Sequence, residues 1–206
     1  MGSANETVGH GLGVAPDVII YKARFRGDVN GFWSVYTTVI DGSLDYLRLN
    51  ATTAKANSVL AAPSSTTFVG AGSGTVSYRD FVAFCFAEKQ GYSKFGTYKA
   101  TGNGGNDANF VYTGFKPAVI ITKSIDLGGW LIIDSARTPI NDDSTDRLFP
   151  NTTDAEDNFE VYDFLSNGFK LRSPGGIANI SGETFFFMAF AENPFVTSTG
   201  VPTTAR

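Results

Sequence analysis

One cysteine and one histidine serve the whole 206-residue chain, and each shortage closes off chemistry. Cys85, inside FVAFCFAE, makes no intramolecular disulfide, and it reads as a small buried hydrophobe in a strand, not a reactive thiol. His10 sits in the glycine-rich stretch VGHGLG, so zinc patterns and a Ser-His-Asp triad do not assemble in any ordinary form. Neither a G-x-S-x-G elbow nor a G-x-x-x-x-G-K-[ST] phosphate loop occurs. GAGSG (70–74) leads into TVSYRD instead of a helix and reads as a turn. Basic charge is sparse too. Net charge is −4, and the densest basic spot is the isolated pair Arg24 and Arg26. A phosphate backbone calls for a concentrated basic face, so nucleic acid is not an expected partner. No apolar run approaches the ~20 residues of a membrane span. The opening MGSANETVGHGLG lacks the charged and apolar regions of a secretory signal, and residues 1–12 read as a leader or tag remnant. No cofactor and no metal is expected.

What the chain does have is phenylalanine and glycine, 18 and 23 residues, with only 2 Met and 17% charged residues. Aromatic and β-branched residues suit a pleated, half-buried surface, and few windows look helical, so the class is all-β. DVIIYKAR, FWSVYTTVI, AVIITKS and GWLIIDS read as strands. FVAFCFAE is apolar on both faces and reads as a central strand. VYDFLSNGFKLR alternates around Ser-Asn-Gly, a hairpin signal because Asn and Gly accept positive φ. TTAKANSVLAA (52–62) and TTDAEDNFEVY are expected to form one or two helical turns at an edge.

The chain also repeats itself. GVAPDVIIYKA (13–23) and GFKPAVIITKS (114–124) share Gly13/Gly114, Pro16/Pro117, Val18/Val119, Ile19/Ile120, Ile20/Ile121 and Lys22/Lys123, each pair 101 positions apart. Asn50/Asn151 and Phe68/Phe169 keep that spacing, Trp33 matches Trp130, and FVAFCFAE matches FFFMAFAE (185–192). The expected architecture is an antiparallel β-sandwich built from two internal repeats of about 100 residues with pseudo-twofold symmetry. The first repeat spans 13–96, a connecting loop and lead-in strand 97–112, the second repeat 113–196 and a tail 197–206. A Phe-rich sheet needs a cover for its apolar face, and the twin copy is expected to supply it in one compact unit.

Candidate site residues follow from the same matches. Lys22 with Glu88, and Lys123 with Glu192, read as one structural ion pair per copy, since first and last strands are often neighbours. Glu88 and Glu192 are also the candidates for a glycosidase pair, which needs two carboxyls about 5 to 10 Å apart in a sugar-sized cleft; their matched positions favour structure over catalysis. NDDSTD brings Asn141, Asp142, Asp143 and Asp146 into one loop but lacks the glycine and closing glutamate of an EF-hand, so it reads as a solvated acidic loop. Trp33 and Trp130 occupy one repeated position. With Tyr36 near the first and Asp134 and Arg137 near the second, they are candidates to hold a sugar, the ring stacking on C–H faces while polar groups bond hydroxyls. A repeated Trp in a sandwich is equally well a core residue.

GHGLGVAPDVIIYK, FCFAEKQGYSKFGTY, FVYTGFKPAVIITK, the W-x-I-I-D-S-x-R stretch from Trp130 to Arg137, RLFPN, FLSNGFKLR and MAFAENPF together resemble the C-terminal domain family of bacteriophage tail-fibre proteins. The resemblance covers residues 8–196. Trp130, Asp134 and Arg137 match its pattern, while Gly129 and Ala136 depart from it. It implies a virion location, other fibre subunits as partners (a possible homotrimer), and non-enzymatic attachment to a bacterial surface polysaccharide or outer-membrane protein. A structural fibre module and a glycan-degrading enzyme are the alternatives.

Overall fold

The computed structural model describes residues 6–23, 32–70, 81–137, 141 and 144–193. The chain is all-β and falls into two compact units, Met1–Ala87 and Glu88–Arg206. Arg24, Arg26, residues 71–74 of the GAGSG turn, Asp142, Asp143 and the tail 197–206 lie outside the described residues.

The first unit holds β1 (Thr7–Gly9), β2 (Val18–Ala23), β3 (Trp33–Thr37), β4 (Asp45–Arg48), β5 (Ala56–Asn57), β6 (Thr67–Val69) and β7 (Phe81–Phe86). Five strands form an antiparallel sheet in the order β5-β4-β3-β2-β7, and β1 pairs with β6 as a separate two-stranded sheet. Strand alternation puts Ile19 and Tyr21 of β2 on one face, where they are buried with Phe68 of β6. Val8, Tyr36, Phe81, Ala83 and Cys85 pack around them.

The second unit holds β8 (Ser93–Lys99), β9 (Phe110–Tyr112), β10 (Pro117–Ser124), β11 (Trp130–Asp134), β12 (Asp146–Leu148), β13 (Asp157–Asn158), β14 (Tyr162–Leu165), β15 (Gly168–Leu171) and β16 (Thr184–Ala191). Its six-stranded sheet runs β13-β12-β11-β10-β16-β8 and faces a three-stranded sheet, β14-β15-β9. Ile120, Leu131, Ile133, Phe185 and Phe187 from the large sheet meet Val111, Phe164, Phe169 and Leu171 from the small one. Each such side chain contributes about 1.5–3 kcal/mol on full burial. A chain of hydroxyls crosses this core: Thr122 Oγ1 bonds Tyr162 OH at 3.0 Å, Tyr162 OH bonds Tyr98 OH at 3.0 Å, and Tyr98 OH donates to the Ala178 carbonyl at 2.8 Å. In each unit, then, one apolar face of the large sheet is covered by a small sheet of the same unit. For that face the cover is not borrowed from the twin copy.

The five strands of the first large sheet match β13-β12-β11-β10-β16 of the second in order, and β8 has no counterpart in the first. Lys22 stands opposite Trp33 and Lys123 opposite Trp130. Asp45 faces Asn57 as Asp146 faces Asn158, and Lys22 faces Val82 as Lys123 faces Phe186. The small sheets agree as well, with Val8 opposite Phe68 and Val111 opposite Phe169.

Three expectations change. The joint is not a loop throughout 97–109: Ser93–Lys99 is a strand that pairs with β16 of the second unit, and only a short 3-10 turn, Gly105–Asp107, follows before β9. FVAFCFAE supplies β7 at the edge of its sheet, with Cys85 half-buried and Phe84 46% exposed; its counterpart β16 is central because β8 adds to its outer side. The segments expected to make helical turns hold the two-residue edge strands β5 and β13. The Ser-Asn-Gly hairpin forms where expected, with Leu165 paired to Gly168 across Ser166 and Asn167, although neither Asn167 nor Gly168 takes positive φ.

Candidate functional site

The Lys123–Glu192 pair does not form. Because β10 and β16 run antiparallel, Lys123 lies opposite Phe186 while Glu192 follows the end of β16 that meets Pro117. Glu192 pairs with Lys116 at 2.6 Å instead. Lys123 is 1% exposed, its Nζ donating to the carbonyls of Ser124 (2.7 Å) and Asp126 (3.3 Å). Burial pulls its pKa down to about 8 against the opposing pull of Asp126 and Glu183. The same geometry separates Lys22, opposite Val82, from the end of β7, where Phe86 faces Val18. Lys22 Nζ lies 5.5 Å from the centre of the Trp33 ring, and Glu88 pairs with Lys94 at 2.7 Å. The two carboxylates proposed for a glycosidase pair are thus each bound by a lysine.

The five sugar-site candidates do not converge. Trp130 is fully buried, edge-on to Phe186 with ring centres 6.3 Å apart, and presents no face to a ligand. It is the core residue of the alternative reading. Trp33 and Tyr36 are three apart on β3 and so point to opposite faces; Tyr36 packs edge-on to Tyr21 at 5.0 Å. Asp134 and Arg137 do meet. Arg137 Nε donates to Asp134 Oδ2 at 2.7 Å and Nη1 to Glu156 Oε2 at 2.7 Å, while Asp134 Oδ1 accepts the N–H groups of Ala136 and Arg137. Partial burial pushes the Asp134 carboxyl up, but the Arg137 bonds outweigh it and leave it below the usual range. This cluster pins the turn after β11. In the acidic loop, Asn141 Oδ1 accepts the N–H of Phe164 at 3.0 Å, a structural role.

A cleft lined by Arg147, Phe159, Glu160, Ser173 and Asn179 has a cavity volume of about 10 Å³, room for about one water. It does not fit a sugar ring.

The sequence reading passed over the outer face of the small sheet in the second unit. β9 reads Phe110-Val111-Tyr112 with only Val111 facing the core; Phe110 is 46% and Tyr112 64% exposed. The register sets two cross-strand rows on this face, Asp163–Lys170–Phe110 and Leu165–Gly168–Tyr112. At Gly168 a Cβ would stand 2.1 Å from the Val111 carbonyl oxygen and 3.0 Å from Phe110 Cε2 and Cζ. Glycine therefore lets the Phe110 ring lie across the neighbouring strand. Lys170 Nζ reaches the Asn106 carbonyl at 3.3 Å, and Arg172 Nε lies 3.0 Å from Glu160 and 3.4 Å from Asp163. The alternation in NFVYT is a usable signal, but it does not say which face is the wet one.

Among the described residues no cluster of three or more His, Cys, Asp or Glu is placed to hold a metal, and no helix is long and apolar enough to cross a membrane. Comparison with curated proteins and with solved structures returned no match. Residues 1–194 match the sequence profile of one family, and the chain belongs to it: the family described as a domain of unknown function, DUF7483.

Proposed function

We propose that this chain is a non-enzymatic attachment domain of a bacteriophage tail fibre, carried on the virion and recognising a bacterial surface polysaccharide. The long motif resemblance described above is one support. The observation that carries the reading is the pairing of one scaffold with two unlike sets of connections. Five strands agree in order and in the register of their matched pairs between the two large sheets, which supports reading the chain as an internal repeat of about 100 residues. The connections differ: residues 38–44 join β3 to β4, while residues 135–145 join β11 to β12 and carry the Arg137 cluster. A rigid framework that holds its register while its surface varies is the arrangement of recognition proteins. Several copies on one fibre would multiply weak single-site binding.

The test is binding of fluorescently labelled domain to intact cells of a strain panel that includes a host of the phage, before and after removal of surface polysaccharide. Saturable binding lost with the polysaccharide, with no sugar released, is the expected result. Binding that survives removal points to a protein receptor. Release of reducing sugar points to a glycan-degrading enzyme, and absence of binding to every strain to a structural fibre module.

A further inference from the structure

We propose that the outer face of the β14-β15-β9 sheet is a glycan platform, with Phe110 and Tyr112 stacking on sugar C–H faces and Asp163 and Lys170 bonding the neighbouring hydroxyls. The inference rests on the attachment reading and names the surface and ligand class through which it works.

Three features carry it. Phe110 and Tyr112 are two residues apart on one strand, so their Cβ atoms emerge on the same side about 7 Å apart, a separation on the scale of one sugar ring. Exposed aromatic rings on a water-facing strand gain little from folding, and the Gly168 position that accommodates Phe110 tolerates no Cβ without displacing the Val111 carbonyl. The Phe110 ring is therefore held in place by the sheet.

The charges select the ligand. Lys170 and Asp163 stand directly opposite each other, with Arg172 and Glu160 beside them. Two cations and two carboxylates give donors and acceptors without a net field. That complements a neutral polyhydroxylated chain, whereas a phosphate or an acidic polymer calls for an excess of one sign. Area argues the same way. Two half-exposed rings, each about 150–250 Å² when fully buried, fall well short of the ~800 Å² per partner of a stable protein interface. A glycan needs only a few such contacts per site when the sites are multiplied.

The experiment uses the whole chain on strains that it binds, with polysaccharide extracted from those strains as soluble competitor. The variants are Y112A, Y112F and F110A/Y112A, and Val59→Ser is a control at a 97% exposed position of the first unit. Melting temperature is recorded for each. Y112A should weaken cell binding at least about tenfold, as loss of a stacking aromatic does. Val59→Ser should bind within about twofold of wild type, a difference below about 0.5 kcal/mol, and Y112F, which keeps the ring, should bind more tightly than Y112A. If the double variant unfolds, Y112A alone decides, because its ring is mostly in solvent. Y112A binding as wild type overturns the platform and leaves the attachment reading standing. Failure of the soluble polysaccharide to compete overturns the ligand class in favour of a protein. A wild-type chain that binds no strain overturns both.

Discussion

Asn151 accepts the backbone N–H of Trp130 on its Oδ1 at 2.6 Å. Asn50 does the same for Trp33 at 2.9 Å. The tryptophans open β3 and β11, and the asparagines lie just beyond β4 and β12, the strands that pair with them. The bond ties the exit of β4 to the start of β3 in one unit and the exit of β12 to the start of β11 in the other, and thereby holds the sheet register where a slip would turn every side chain to the wrong face.

Removing that acceptor should cost more in the second unit, where the bond is partly buried, than in the first, where it is exposed. We expect N151A to lower stability by about 1–3 kcal/mol, the cost of stranding a buried donor, and N50A by about 0.5–1.5 kcal/mol. Urea melts of the two variants, each with unchanged slope, check this. Equal losses would show that the two bonds do the same work despite their different burial.

Lys123 gives stability a pH dependence of definite sign. Its folded pKa of about 8 lies below the 10.5 of a free lysine, so the unfolded chain binds the proton more tightly. The cost of burying the ammonium is fully present below pH 8 and is relieved as pH rises toward 10.5. Between pH 8 and 10 the gain should be about 2 kcal/mol, at about 1.4 kcal/mol per unit. Raised tyrosine and cysteine values, as at Cys85 and Tyr162, oppose it toward the upper end of this range. The difference between wild type and K123M removes those contributions. A wild-type curve parallel to that of K123M would sink the assignment.

The buried hydroxyl chain predicts strong coupling. Tyr162 OH sits between Thr122 and Tyr98, so Y162F removes a hydrogen-bond partner from both in a buried site. We expect Y162F to cost about 1–3 kcal/mol and Y98F a similar amount. The double variant should cost less than the sum by at least about 0.5 kcal/mol, since the second change removes a group already stranded. Strict additivity in a double-mutant cycle would mean that the two rings contribute by packing alone.

Much of this fold is legible in the sequence because its signals are local. Val18 to Lys22 and Val119 to Lys123 read as strands on composition, and Ser166-Asn167-Gly168 reads as a hairpin turn on backbone preference. The matches Trp33/Trp130 and Asn50/Asn151 are legible as a pattern, though only the structure supplies the hydrogen bond behind them. What fails to show is set at long range. Ser93–Lys99 is alternating and polar enough to pass for a loop margin, and only its pairing with β16 about 90 residues away makes it a strand of the second unit. WLIID is apolar on both faces, so nothing local separates a buried Trp130 from a displayed one. Asp134 and Arg137 are close in the chain and do meet, but they bond each other and Glu156. Phe110 and Tyr112 escaped notice because orientation on an edge strand follows from register, which a single strand does not encode.

Gly168 makes the platform's dependence on that register testable. Its Cβ position, 2.1 Å from the Val111 carbonyl oxygen, is backbone against backbone, so no side-chain rotation relieves it. In G168A either β9 moves away from β15, losing the pairs Gly168–Tyr112 and Phe169–Val111, or the hairpin distorts. Overpacking of this kind costs about 1–3 kcal/mol. The damage should concentrate on β9, the edge strand that carries both exposed rings. Hydrogen exchange should therefore quicken at Val111 and Tyr112 more than at Ile120 or Phe187 in the large sheet, and cell binding should fall with it. A G168A chain whose exchange rises evenly through both sheets would show that the glycine serves global stability instead of the placement of Phe110 and Tyr112.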